Sequence, residues 1–151
     1  MSYWILLLII LLIILIIVAD ILFTISIDNL ARVPSPDDPV ILATLNNVVS
    51  LGSYIVILLI FLLALLLTIA ILVYYNIQRN VRTNLPLYLM IISIFTIIGV
   101  IIISYYTYTN FLLLNNRIPT DIYNTNINYF FWAIIILILS LFLSLFLPFI
   151  Y

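Results

Sequence analysis

The chain alternates between four long apolar runs and three polar segments. The apolar runs occupy residues 3–27, 50–75, 86–108 and 129–150. At about 1.5 Å per helical residue, each is long enough to cross the roughly 30 Å hydrocarbon core of a bilayer. The runs are apolar on nearly every side and show no sustained heptad. The pattern predicts an all-α integral membrane protein with four transmembrane helices, forming one membrane domain over residues 1–151.

The two longer polar segments, 28–49 and 109–128, are predicted to be outer loops. The first has three prolines between residues 34 and 39, which lack amide donors and keep their neighbours extended. The adjacent acids Asp37 and Asp38 could form a carboxylate pair for acid–base chemistry. Because they lie in a predicted exposed loop, we interpret them as solvated rather than catalytic.

The short polar segment 76–85 determines the predicted orientation. It carries Arg79 and Arg82, whereas each longer segment carries one arginine. The positive-inside rule therefore puts this segment on the cytoplasmic or matrix side. Four spans bring both termini to that same side and put segments 28–49 and 109–128 on the outer side.

Composition restricts the chemistry of the chain. Of its 151 residues, 68% are hydrophobic and 6% are charged, and Lys, Glu, His and Cys are absent. This excludes thiolate or imidazole nucleophiles and the usual zinc ligands, and a net charge of −1 gives no basis for binding nucleic acid. Abundant Ile, Asn, Tyr and Phe indicate AT-rich codons. We expect the mitochondrial inner membrane, with a prokaryotic plasma membrane as the alternative.

Asp20 is the one ionisable group well inside a predicted span. A carboxylate at mid-membrane costs roughly 2.5–3.5 kcal/mol on insertion scales, so such residues usually serve a function. Asp20 is therefore a candidate site residue. The alternative interpretation places it near the lipid headgroups or pairs it with an arginine of a partner subunit.

The segment from Arg32 to Ile55 reads Arg-Val-Pro, then Pro-Asp-Asp-Pro, then, after Asn46, Ser-Leu-Gly-Ser-Tyr-Ile. It resembles the eleventh and twelfth helices of subunit I of the haem–copper oxidases, the cytochrome c oxidase family. There, the eleventh helix ends in Met-Pro-Arg-Arg-Ile-Pro, an acidic proline-containing loop follows, and the twelfth helix opens with Trp-Asn-x-Ile-Ser-Ser-x-Gly-Ser-Tyr-Ile. The chain departs from this pattern at Ala31 and Leu45, which replace an arginine and the tryptophan.

The resemblance implies a split or detached piece of subunit I that docks against a shortened subunit I. It also implies that Arg32 contacts a propionate of a haem held by that partner, through charge-assisted hydrogen bonds. The family's haem and copper ligands are histidines, which this chain lacks. We therefore expect no cofactor to be bound by this chain alone. Alternatively, Arg32 is an ordinary interface arginine that bonds to lipid, to Asp28 or to the acids of the loop.

Together with the composition, the resemblance implies a structural membrane subunit of a respiratory-chain terminal oxidase, with other membrane subunits and lipids as partners and no catalysis by this chain alone. The alternative is a small membrane subunit of complex I or ATP synthase, with a purely structural or assembly role. The stretch Ile69–Arg82 faintly resembles the last helix of the smallest core subunit of complex I, but the chain lacks that subunit's intramembrane glutamates. An independent channel or transporter is disfavoured because the spans lack polar lining residues.

Overall fold

A computed structural model describes residues 3–151, which form four α-helices and no strand. The helices are α1 (Trp4–Ala31), α2 (Pro39–Arg79), α3 (Leu85–Leu112) and α4 (Thr120–Ile150). All four are long and apolar enough to cross a membrane. The predicted all-α membrane fold with four membrane-crossing helices is confirmed.

The helices form an antiparallel four-helix bundle. α1 packs against α2 and α4, and α3 packs against the same two helices, while the backbones of the diagonal pairs within residues 3–151 stay apart. Tyr3 and Tyr151 lie at the same end as the α2–α3 turn, because Gln78 donates a hydrogen bond to the Tyr3 hydroxyl and Asn76 donates one to the Tyr151 hydroxyl.

Burial follows a regular heptad pattern in every helix. Buried positions are separated alternately by three and four residues, as in left-handed coiled coils and most four-helix bundles. In α1 they are Ile5, Ile9, Leu12, Ile16, Ala19, Phe23, Ser26 and Leu30, and Ile27 is buried in addition beside Ser26. In α2 they are Leu45, Val48, Gly52, Ile55, Leu59, Leu62, Leu66, Ile69 and Val73. The exposed positions between them are also largely apolar, which hides this pattern in the sequence.

The helices extend into segments predicted as outer loops. Asp38 caps α2 by accepting a hydrogen bond from the Val40 amide at 2.9 Å, and Pro39 occupies the first turn, where no amide donor is needed. Residues 39–49 are therefore helical. α4 begins directly after Pro119, without a side-chain cap, so residues 120–128 are also helical.

The 41 residues of α2 make it about 60 Å long, roughly twice the hydrocarbon thickness. Ile27 of α1 lies against Gly52 of α2, and α1 ends shortly afterwards at Ala31. The first turns of α2 consequently project beyond the end of α1, at the end of the bundle that carries most of the acidic residues.

Candidate functional site

Arg32, the residue implied to contact a haem propionate, is the C-terminal cap of α1. Its backbone amide donates to the Asn29 carbonyl, and its guanidinium lies 3.6 Å from the Asp28 carboxylate. Both side chains are largely exposed, at 78% for Arg32 and 66% for Asp28. An exposed pair of this kind contributes about 0–1 kcal/mol, so the guanidinium can exchange Asp28 for another acceptor.

A groove of about 350 Å³ lies beside Arg32, between α1 and α4. Asn29, Asp121, Thr125 and Asn126 line it together with Arg32. The arginine and the amides can donate hydrogen bonds to a carboxylate or phosphate, whereas Asp121 and Asp28 oppose a second negative charge. The groove therefore suits a single acidic group that approaches from the Arg32 side.

A network of hydrogen bonds joins α1 and α4 beneath this groove. The Ser26 hydroxyl donates to the Asn126 backbone carbonyl at 3.0 Å, and the Asn29 amide donates to the Asn126 side-chain oxygen at 2.9 Å. The Asn126 amide in turn donates to the Ile122 carbonyl at 2.8 Å. This network fixes the position of the helix end that carries Arg32. The sequence pattern does not reveal this network, because it predicts an outer loop at residues 109–128, which include Asn126.

Asp20, the second predicted site residue, lies in the interior of α1 and is partly exposed. It lies two turns before Ile27, on the side of α1 that faces α2. One of its carboxylate oxygens is buried and has no hydrogen-bond partner among residues 3–151. A carboxylate in this position requires a donor or cation from outside the described bundle, or a proton.

Asp20 and Arg32 belong to one polar stripe along the outer half of α1. Asp20, Thr24, Asp28 and Arg32 recur at intervals of four, so they form a slanted row that turns by about 40° around α1 at each step. Thr24 and Asp28 also line a groove of about 260 Å³ between α1 and α2. The stripe connects the membrane interior to the exposed guanidinium.

The other candidate acids have local structural roles or none. Asp38 caps α2, and Asp28 pairs with Arg32. Asp37 is exposed. Within residues 3–151, no group of three or more His, Cys, Asp or Glu side chains is placed to hold a metal ion.

Comparison with known proteins gives no relative: no family model, no curated protein and no solved structure matches the chain.

Proposed function

We propose that the chain is a structural membrane subunit of a respiratory-chain terminal oxidase, in the mitochondrial inner membrane or a prokaryotic plasma membrane. The observation that carries this proposal is the Arg32–Ile55 motif. Its residues occupy one continuous hairpin, made of the end of α1, the loop at 32–38 and the first half of α2. In the oxidase family, the matching residues likewise connect two neighbouring helices.

In this proposal Arg32 binds a haem propionate of a shortened subunit I. The guanidinium suits a carboxylate, since it already pairs with Asp28 in an exposed and readily exchanged contact. When bound by the partner, the haem supplies the electron-transfer chemistry. Arg32 holds the propionate ionised and adds a positive charge near the haem.

The polar stripe of α1 supports association with another membrane subunit. Asp20 is partly exposed and has a carboxylate oxygen without a partner within residues 3–151. A carboxylate that faces lipid raises the free energy of the membrane-inserted chain. A partner helix that provides a hydrogen-bond donor or a positively charged side chain offsets that cost. The partner helix packs over Asp20 and Thr24 and leads to the Arg32 end of the bundle.

The test is purification of the native membrane complex through an affinity tag on this chain, followed by its visible difference spectrum and subunit list. We expect oxidase haem bands and a subunit I that stops before its eleventh helix. A complete twelve-helix subunit I in the same complex would overturn the split-subunit proposal. A haem-free complex with flavin and iron–sulfur subunits would instead identify the chain as a subunit of complex I.

The role of Arg32 is tested by titrating the haem potentials of the Arg32→Gln complex. Removing a positive charge near a haem favours the oxidised state, so we expect the potential of the nearer haem to fall. At an effective dielectric constant near 20 and a separation of about 15 Å, the interaction is about 1 kcal/mol, or roughly 40 mV for one electron. Arg117→Gln, which alters an exposed arginine in the α3–α4 connection, is the matched control. Equal haem potentials in the wild type and in Arg32→Gln would show that Arg32 does not contact a propionate.

A further inference from the structure

The α2–α3 turn is the positively charged end of the bundle. Arg79 ends α2, Arg82 lies in the turn, and no carboxylate of residues 3–151 comes within 4 Å of either guanidinium. The loop and helix-end acids Asp28, Asp37, Asp38 and Asp121 all lie at the opposite end of the bundle. Both arginines are consequently available to an external anion.

The turn has a defined shape because Tyr151 holds it against α4. The Tyr151 side chain is 5% exposed, and its hydroxyl donates to the Thr83 carbonyl at 2.5 Å and accepts from the Asn76 amide at 2.7 Å. Asn80 adopts the left-handed conformation at φ 51°, and the Val81 amide closes the helix end onto the Asn76 carbonyl. These contacts fix the backbone from which both arginines project.

Each arginine is also oriented by an aromatic ring. The Arg79 guanidinium lies 5.7 Å from the centre of the Tyr75 ring, and the Arg82 guanidinium lies 5.4 Å from that of Tyr151. A guanidinium that stacks on a ring leaves its N–H edge free for hydrogen bonds. Because the rings already hold the two guanidinium groups in place, less of the binding free energy of an anion is spent on ordering the arginine side chains.

A groove beside Arg79 combines polar and apolar chemistry. It has a volume of about 470 Å³ and is lined by Leu72, Tyr75, Asn76, Arg79, Thr83 and Leu85. The polar groups come from the end of α2 and the turn, whereas the leucines belong to the membrane-crossing helices α2 and α3. An anion that binds here therefore has an apolar surface directly beside it, on the membrane side.

We propose that this groove binds an anionic phospholipid. The phosphodiester accepts hydrogen bonds from the Arg79 guanidinium and the Thr83 hydroxyl, and an acyl chain lies against Leu72 and Leu85. Arg82 adds positive charge from the other side of the turn, where it lines a second groove of about 270 Å³. The apolar wall favours a lipid over free phosphate, which has nothing to place against the leucines.

The experiment measures lipid selection by the full chain in nanodiscs made from equal amounts of phosphatidylglycerol and phosphatidylcholine. Native mass spectrometry of protein released from these discs gives the ratio of the two lipids that stay bound. We expect phosphatidylglycerol to dominate in the wild type. The ratio should fall about fivefold in Arg79→Gln, because a basic residue near a membrane surface contributes about 1 kcal/mol to binding an anionic lipid.

Two further variants make the result specific. Arg79→Lys keeps the charge and should keep most of the preference, which also shows that substitution at this position leaves the fold intact. Arg117→Gln removes an exposed arginine at the opposite end and should leave the ratio unchanged. The proposal is wrong if the wild type shows no preference, or if Arg79→Gln and Arg117→Gln change the ratio equally. It is also wrong if excess inorganic phosphate abolishes the preference, since the groove would then be a general anion site.

Discussion

Buried polar side chains decide which contacts hold this bundle in one arrangement, because lipid offers them no hydrogen bonds. Asn126 is buried and bonded through both its backbone carbonyl and its side-chain oxygen to α1. Asp20, in contrast, keeps a buried oxygen without a partner within residues 3–151. The first residue therefore acts within the chain, and the second requires a proton, or a donor or cation from outside the described bundle.

Replacing Asn126 by Ala removes the acceptor for the Asn29 amide and should destabilise the bundle. Interhelical hydrogen bonds in membrane proteins contribute about 0.5–1.7 kcal/mol, so the free energy of unfolding should fall by about that amount. Unfolding in mixed micelles by increasing SDS measures the change. Asn124→Ala, at an exposed position of the same helix, is the control and should change stability little. Equal effects of the two substitutions would show that the contact to Asn29 contributes nothing.

A charged residue within an apolar run is visible in a sequence, which makes Asp20 a candidate, whereas Arg32 is a candidate through the resemblance of its segment to the oxidase motif. Ser26 and Asn126 were not identified, since the first is a small polar residue in a long apolar run and the second lies in an asparagine-rich segment. Their importance depends on the pairing of α1 with α4. That pairing brings together residues about a hundred positions apart in the chain, and nothing in the local sequence indicates it.

At the scale of the helices, the close approach of α1 and α2 depends on Gly52. The position that a Cβ of residue 52 would occupy overlaps the end of the Ile27 side chain. Ile27 is itself buried, at 6% exposure, and borders the groove between α1 and α2, so a Cβ at residue 52 requires the Ile27 side chain to shift. The glycine at this core position thus allows the larger Ile27 side chain of α1 to fill the space between the two helices.

Gly52→Ala should destabilise the bundle by about 1–3 kcal/mol, the usual cost of an overpacked core. Gly99→Ala is the matched control, because a Cβ there meets no atom within 4 Å. Replacing a helical glycine by alanine without a clash stabilises by roughly 0.5–1 kcal/mol, so the two variants should change stability in opposite directions. SDS unfolding measures both.

The double variant Gly52→Ala with Ile27→Ala separates the clash from other causes. Removing most of the Ile27 side chain should make Gly52→Ala harmless in that background. If Gly52→Ala costs the same with and without Ile27, the contact between these residues does not determine the packing of α1 on α2.

The existence of the helices could be predicted from the sequence, but their ends and packing faces could not. Four apolar runs identify four membrane-crossing helices by length alone. The predicted loops are shorter in the structure because Asp38 with Pro39 provides a helix start, and α4 begins directly after Pro119. The heptad pattern of buried positions cannot be recognised in the sequence, because lipid-facing and buried positions carry the same apolar residue types.

At the scale of the whole molecule, charge is distributed unevenly between the two ends of the bundle. Arg79 and Arg82 lie at one end without a carboxylate within 4 Å among residues 3–151. Arg32 and Arg117 lie at the other end, together with Asp28, Asp37, Asp38 and Asp121. Two arginines at one short connection, Arg79 at the end of α2 and Arg82 in the turn, are the arrangement that the positive-inside rule associates with the cytoplasmic or matrix side.

This orientation can be measured with single cysteines, because the natural sequence contains no Cys. In a bacterial inner membrane, Ser35→Cys and Asn115→Cys should react with a membrane-impermeant maleimide in intact cells. Asn84→Cys should react only after the membrane is permeabilised. All three native side chains are exposed in connections between helices, so differences in labelling report the side of the membrane rather than burial. The opposite labelling pattern would show that the orientation prediction is wrong.

The cause of the orientation is tested by removing the charges at each end in turn. Arg79→Gln with Arg82→Gln should give a mixture of the two orientations, because the two closely spaced arginines that favour the inner side for this turn are lost. Arg32→Gln with Arg117→Gln removes the same number of charges from the other end and should strengthen the original orientation. If the first pair of substitutions leaves all three cysteines labelled as before, the α2–α3 turn does not orient the chain. The hydrophobicity and order of insertion of the four helices would then be sufficient.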